Sequence, residues 1–193
     1  KVLVGKAGRQ PNLEKAFEVL NPVALAVPQD DTQAEKMLQM VTTLWQDYAL
    51  PRTKLVLSLP ESAVSTKVIE MPPLSDSELA SAIQWQAERH IPIPKEELNL
   101  QYQVLVRPAK NEEAKMRVLL VGIRKALIER YLTLFEMAGL NPTLVEAQII
   151  SVFRNLAIHP SDPPTLIVHL GATELILAAV RDGVLDFVAS HLG

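Results

Sequence analysis

Gln84-Trp85-Gln86-Ala87-Glu88-Arg89-His90-Ile91-Pro92-Ile93-Pro94-Lys95-Glu96-Glu97-Leu98-Asn99-Leu100 is the stretch on which the reading of this chain turns. Pro92 and Pro94 lack the N–H that a helix interior requires, and each biases the residue before it toward extended backbone, so a helix through His90 must stop at Ile91 and pass into a strand. Upstream, Ser75-x-x-Glu78 is a capping box, in which the serine hydroxyl and glutamate carboxylate satisfy N–H groups at a helix start. Leu79, Ala82, Ile83, Gln86 and Ala87 form the inward stripe of that helix, and at about 100° per residue Trp85 and Glu88 lie roughly a third of a turn off it. A large amphipathic ring at a helix margin, followed by the rigid Ile91-Pro92-Ile93-Pro94, can wall a groove for an extended peptide. The plainer reading makes Trp85 the cap of a small core and the prolines a simple helix stop. The residues alone leave both open.

Working outward, Leu100, Tyr102, Val104 and Val106 alternate along one strand, and Met116, Val118 and Leu120 along its return, with Pro108 to Glu113 as the polar turn. Leu127 to Ala138 follows the helical period and is closed by Gly139 and Pro142. Leu144 to Ala147 reads as a strand, Gln148 to Ala157 as a short helix, and His159 to Pro164 as an irregular connector. Leu166 to Leu170, Glu174 to Val180 and Val184 to Ala189 are three strands, the last two joined through Asp182-Gly183, a favoured two-residue hairpin turn. Toward the N-terminus, Val64 to Met71 and Lys54 to Leu59 read as strands flanking a loop at Glu61-Ser62, and residues 32 to 49 as an amphipathic helix. Lys1 to Val4 is a strand, Gly8 to Pro11 a turn, and Leu13 to Leu20 a strand whose Glu14 to Leu20 portion also suits a helix.

Composition narrows the function classes. The 193 residues are 48% hydrophobic and 21% charged, an ordinary globular balance. Nineteen basic against 22 acidic side chains leave a net charge of -3, which gives no field to attract nucleic acid or an anionic lipid surface. The absence of cysteine removes disulfides, thiolate metal sites and a cysteine nucleophile, and fits a reducing compartment. The apolar run Leu166 to Val180 is broken by His169, Gly171, Thr173 and Glu174 and falls short of the roughly 20 residues that span a bilayer. Lys1-Val-Leu-Val lacks the pattern of a signal peptide, and the chain reads as a fragment.

Trp85-x-Ala87-Glu88-x-x-Ile91-Pro92 resembles the Trp-x-Ala-Glu-x-x-Ile-Pro segment of the PilM family, and Val145-Glu146-Ala147-Gln148 adds to the likeness. The N-terminal strands and helix, an inserted strand-helix-strand-strand module and a glycine turn within a strand hairpin are, in order, similar to the actin-like fold of that family and its cell-division relative FtsA. The resemblance covers the whole chain. It implies an α/β (mixed α+β) fold of actin-like, ribonuclease H-like type, with residues 1–60 and 145–193 in one actin-type subdomain and 61–144 as the inserted subdomain. It also implies an Asp-x-Gly phosphate loop before the position of Lys1 and a second actin-like half after Gly193, which would make the chain an N-terminal fragment.

By the same resemblance the expected role is a cytoplasmic scaffold of the type IV pilus machine, peripheral to the bacterial inner membrane. It would grip the N-terminal tail of a PilN-like bitopic protein and link it to pilus motor and platform proteins, with a homo-oligomer left open. Trp85, Glu88, Ile91, Pro92 and Ile93 are the residues taken to meet that tail. Leu166 to Glu174 resembles the second phosphate loop of actin-like ATPases, with Gly171, Ala172 and Thr173 as the cofactor-binding residues and ATP with Mg as the implied cofactor of the full-length protein. His169 stands where the pattern usually has an aspartate, and an imidazole does not supply a hard anionic oxygen to magnesium, so nucleotide binding without turnover is expected. A nucleotide-dependent ATPase switch and an FtsA-like polymerising membrane tether are the alternatives.

No catalytic residue is assigned. His90, His159, His169 and His191 contain no i, i+4 pair for a metal, and the chain has no Gly-x-Ser-x-Gly elbow, Walker loop or Gly-x-Gly-x-x-Gly. Glu96-Glu97 and Glu112-Glu113 read as solvated turn residues rather than paired catalytic acids.

Overall fold

A computed structural model describes the chain except for residues 7–11, 24–27, 29, 110–113, 172–173 and 193. The expected turn at Gly8 to Pro11 therefore lies outside the described residues, and the Pro108 to Glu113 turn lies partly outside them. The fold is mixed α/β, and the elements fall into two compact units.

The first unit comprises Lys1–Leu55 and Tyr131–Thr143. β1 (Val2–Lys6) and β2 (Asn12–Phe17) pair antiparallel with Val2 opposite Phe17, which settles the ambiguous Glu14 to Leu20 segment as a strand over its first part. α1 (Asp31–Asp47) starts where Asp30 Oδ1 accepts the Gln33 N–H at 2.8 Å, and buries Met37, Val41, Leu44 and Trp45 along one face. The Trp45 indole is both packed and satisfied, since Nε1 donates to the Pro51 carbonyl at 3.0 Å. Tyr131 and Leu134 contribute from the end of α3 (Lys125–Met137), after which Gly139 adopts φ 71° and the Arg52 guanidinium caps the Ala138 carbonyl at 2.9 Å.

The second unit comprises Val56–Arg130 and Leu144–Gly193. Its first sheet has the order β4 (Ser65–Met71), β6 (Met116–Arg124), β5 (Leu98–Val106), antiparallel throughout, with Ile69 opposite Val118 and Leu120 opposite Tyr102. α2 (Asp76–His90) lies on one face of it and inserts Leu79, Ile83 and Ala87 among Ile69, Met71, Met116, Val118 and Leu120. Each large aliphatic chain so buried contributes about 1.5–3 kcal/mol, which is why the helix is held although its own sequence is only weakly amphipathic. The capping box expected at Ser75 is present, with the Ser75 N–H donating to Glu78 Oε2 at 2.9 Å and the Glu78 N–H to Ser75 Oγ at 3.4 Å.

The other sheet of this unit has the order β10 (Val184–Leu192), β9 (Glu174–Arg181), β8 (Thr165–Leu170). Ile167, Ile176, Ala178, Val180, Leu185 and Val188 pack inward with Ile149 of α4 (Gln148–Leu156), while Leu166, Val168, Leu170 and Phe187 are exposed. Asp182 and Gly183 take φ 56° and 70°, the left-handed pair that a two-residue hairpin turn demands. Half-buried Arg117 of β6 donates to Asp186 at 3.0 Å, and its other amino group lies 3.4 Å from Asp182, tying this hairpin to the neighbouring sheet. β3 (Leu55–Leu59) pairs with β7 (Pro142–Ala147), not with β4, so the two strands flanking the Glu61-Ser62 loop belong to different sheets.

Candidate functional site

α2 presents two stripes, of which one is fully buried in the core and the other touches it only through Leu74 and Ala82. Leu74, Ser77, Glu78, Ser81, Ala82 and Trp85 recur at intervals of one and three residues along the other, and they line a shallow surface groove. Trp85 stands 75% exposed at its end, so it does not cap the core beneath the hairpin. An indole left this open beside a groove is the kind of residue that anchors a partner. Glu88 continues the stripe one turn further and pairs with Lys95 at 3.1 Å, an exposed ion pair that fixes the side chain without burying it.

The remaining residues expected at this surface separate from it. Ile91 is 3% exposed and belongs to the core, where a Cβ added at Gly122 would meet its Cγ2 at 2.7 Å. The reason is the helix stop itself: the Ile91 N–H still bonds the Ala87 carbonyl at 2.8 Å, which turns the Ile91 side chain down with the inward stripe. Ile93 is half-buried against the same core and Pro92 is exposed, and neither lines the groove. Leu74, Ser77 and Ser81 were missing from the sequence reading and Ala82 was placed on the inward stripe, although their spacing with Trp85 is a second helical stripe that could have been counted.

The expected cofactor turn joins β8 to β9. Ala172 and Thr173 lie outside the described residues, and Gly171 is described. The Gly171 N–H donates to the Glu174 carbonyl at 2.8 Å, and a Cβ added at Gly171 would meet that oxygen at 3.1 Å and Glu174 Cγ at 3.3 Å. Glu174 is 9% exposed, and its Oε2 accepts the Ser62 N–H at 3.1 Å. Beside it Glu61, 4% exposed, accepts the Ile149 N–H at 3.4 Å through Oε1. α4 begins at Ala147, which has no side-chain oxygen, so this carboxyl from 88 residues upstream serves as its cap. Burial pushes the Glu61 carboxyl above the usual range and nearby Glu174 adds to the rise, against the Thr66 hydroxyl, the Ile149 N–H and Lys67. The Thr66 hydroxyl is buried and makes no hydrogen bond of ordinary geometry. Gln148 Nε2 and His169 Nε2 are 2.9 Å apart, the amide donating to the ring.

These groups do not suit a magnesium nucleotide. The two carboxyl groups are already engaged, His169 offers no hard oxygen, and among the described residues no three His, Asp or Glu side chains converge as a metal site. Among the described residues, too, no helix is long and apolar enough to cross a membrane.

The comparisons with known proteins point one way. The family model described as "Type IV pilus assembly protein PilM" matches residues 2–187. The chain is similar to a solved chain of a PilM-PilN type IV pilus biogenesis complex, with TM-score 0.79 and 23% identity over 98% of this chain and 57% of that one. It is similar in fold to the cytoplasmic domain of EpsL, an inner membrane component of the type II secretion system of Vibrio cholerae, with TM-score 0.56 and 13% identity over 79% of this chain and 56% of that one. A Bacteroides thetaiotaomicron protein with an actin-like ATPase fold matches with TM-score 0.51 and 15% identity, over 94% of this chain and 62% of that one. The fold is therefore actin-like, and the chain spans little more than half the length of these proteins.

Proposed function

Because this chain belongs to the PilM family of type IV pilus assembly proteins, we propose that it is a scaffold that grips the N-terminal tail of a PilN-like inner-membrane protein, and that it works by binding rather than turnover. The observation that carries this reading is Trp85, exposed at the end of a surface groove whose apolar floor, Leu74 and Ala82, is only partly covered by the core. Leu74, Ala82 and the indole supply the apolar floor, while the Ser77 and Ser81 hydroxyls and the Glu78 rim supply polar contacts that fix register. A related chain occurs in a complex with PilN, and another relative in fold is the cytoplasmic part of an inner membrane component, which supports a place on the cytoplasmic side of the inner membrane. Pilus motor and platform proteins are the further partners of such a scaffold.

We assign the groove to an inserted subdomain over residues 61–144, with 1–60 and 145–193 as the actin-type remainder. ATP with magnesium has kinship in fold to support it and the residues around Gly171 against it. Nothing in the family match favours a nucleotide-driven switch or an FtsA-like polymerising tether.

The reading is tested by calorimetric titration of a PilN-type tail peptide into the full-length protein and its Trp85→Ala variant. Loss of an anchor of this kind weakens binding at least tenfold, about 1.4 kcal/mol or more. Equal affinities would remove Trp85 from the site, and no binding by the unaltered protein would remove the partner.

A further inference from the structure

The exposed side of α1 carries opposite charges at its two ends. Lys36, Met40, Thr43 and Asp47 succeed one another at helical intervals and form one stripe, which with Val19, Pro22 and Tyr48 lines a groove lying wholly within the first unit. Met40 is half-buried, Val19 and Tyr48 are exposed, and Leu20, next to Val19 in the chain, is 93% exposed, so apolar surface is gathered at this groove. Among the described residues neither Lys36 nor Asp47 is in an ion pair. We propose that this stripe is a self-complementary contact at which two copies of the chain pair antiparallel about a two-fold axis, with Lys36 of each against Asp47 of the other.

The order of residues selects both the occupant and its direction. A two-fold axis through the middle of the stripe exchanges Lys36 with Asp47 and Met40 with Thr43, so each charge meets its opposite and the thioether meets the threonine methyl. A parallel pair would set lysine against lysine and aspartate against aspartate, which repel. Asp47 also lies in the last turn of α1, where the helix dipole is negative and no basic residue stands. Lys36 of the other copy brings the missing cation to that end. A polyanion does not suit the groove, because Lys36 is the one cation among the residues that line it. The 17 residues of α1 extend about 25 Å at about 1.5 Å each, so a contact along one helix buries less than the roughly 800 Å² per partner of a standard stable interface. The dimer is therefore reversible, and its exposed ion pairs set register more than strength. This contact lies apart from the groove on α2 and stands or falls independently of it.

Sedimentation equilibrium of the full-length protein from micromolar to millimolar concentration tests the pairing, together with Lys36→Asp, Asp47→Lys and the double variant. Both positions are exposed, and matching circular dichroism spectra show that the variants keep the fold. The expected result is a monomer–dimer equilibrium for the unaltered protein and at least tenfold weaker association for either single variant, since one then presents only carboxylates at these ends and the other only ammonium groups. The double variant, and an equimolar mixture of the two single variants, should recover the dimer. A monomer at every concentration would overturn the pairing and leave the groove to a partner protein. Undiminished association of the single variants, or failure of the double variant or the mixture to recover it, would overturn the Lys36–Asp47 register.

Discussion

At the scale of single residues, Trp85 and Ile91 sit six positions apart in one quoted string and have opposite fates. Trp85 is exposed, so Trp85→Ala should change folding stability by no more than about 0.5 kcal/mol while weakening the tail peptide. Ile91→Ala should cost about 2–5 kcal/mol of stability, measured by denaturant unfolding, and any loss of binding it shows is a loss of fold. Glu61 makes a pH prediction. Burial raises its folded pKa above the 4.5 of an unburied glutamate, so the stability that its neutral form allows is fully present below about pH 4.5 and is lost as pH rises through the folded value. Relative to the unaltered protein, Glu61→Gln should therefore gain stability on going from pH 4.5 to pH 8, and parallel pH–stability curves would contradict this. Trp85 was legible in the sequence because helical spacing fixes its angle. The burial of Glu61 was not, since a glutamate beside a serine and after a proline looks like a solvated loop until Ile149 and Glu174 are brought to it.

Elements were read more securely than the contacts among them. Alternation and proline stops located β4, β5, β6 and the three C-terminal strands, because period-two burial leaves its mark in the local sequence. The pairing of β3 with β7 left no such mark, as partners far apart in the chain are chosen by packing rather than by adjacency. The capping box makes Ser75→Ala a test of α2: loss of the cap should cost about 1 kcal/mol and lower peptide binding only as far as the helix start frays. In the β9–β10 turn, Gly183 has positive φ, and a Cβ there would lie 2.8 Å from the Pro160 nitrogen. Gly183→Ala should thus destabilise by more than about 1 kcal/mol, read as a lowered urea midpoint, whereas an unchanged midpoint would mean that the turn adjusts freely.

Across the whole molecule, the family is that of the PilM proteins, and the actin-like fold is shared with longer proteins. Fold resemblance alone does not transfer a nucleotide cycle. The groove on α2 and the buried carboxyl groups of Glu61 and Glu174 fit the proposed scaffold, whose exposed aromatic anchor would serve assembly while the carboxyl groups tie distant segments together. Its central claim is tested most directly by tryptophan emission during titration with a PilN-type tail peptide, taking the difference between the full-length protein and Trp85→Ala to isolate this indole. The account predicts a saturable blue shift in the difference signal as the peptide covers the ring, with Trp45 silent because it is already buried. Saturable binding with no change in the Trp85 signal would contradict it.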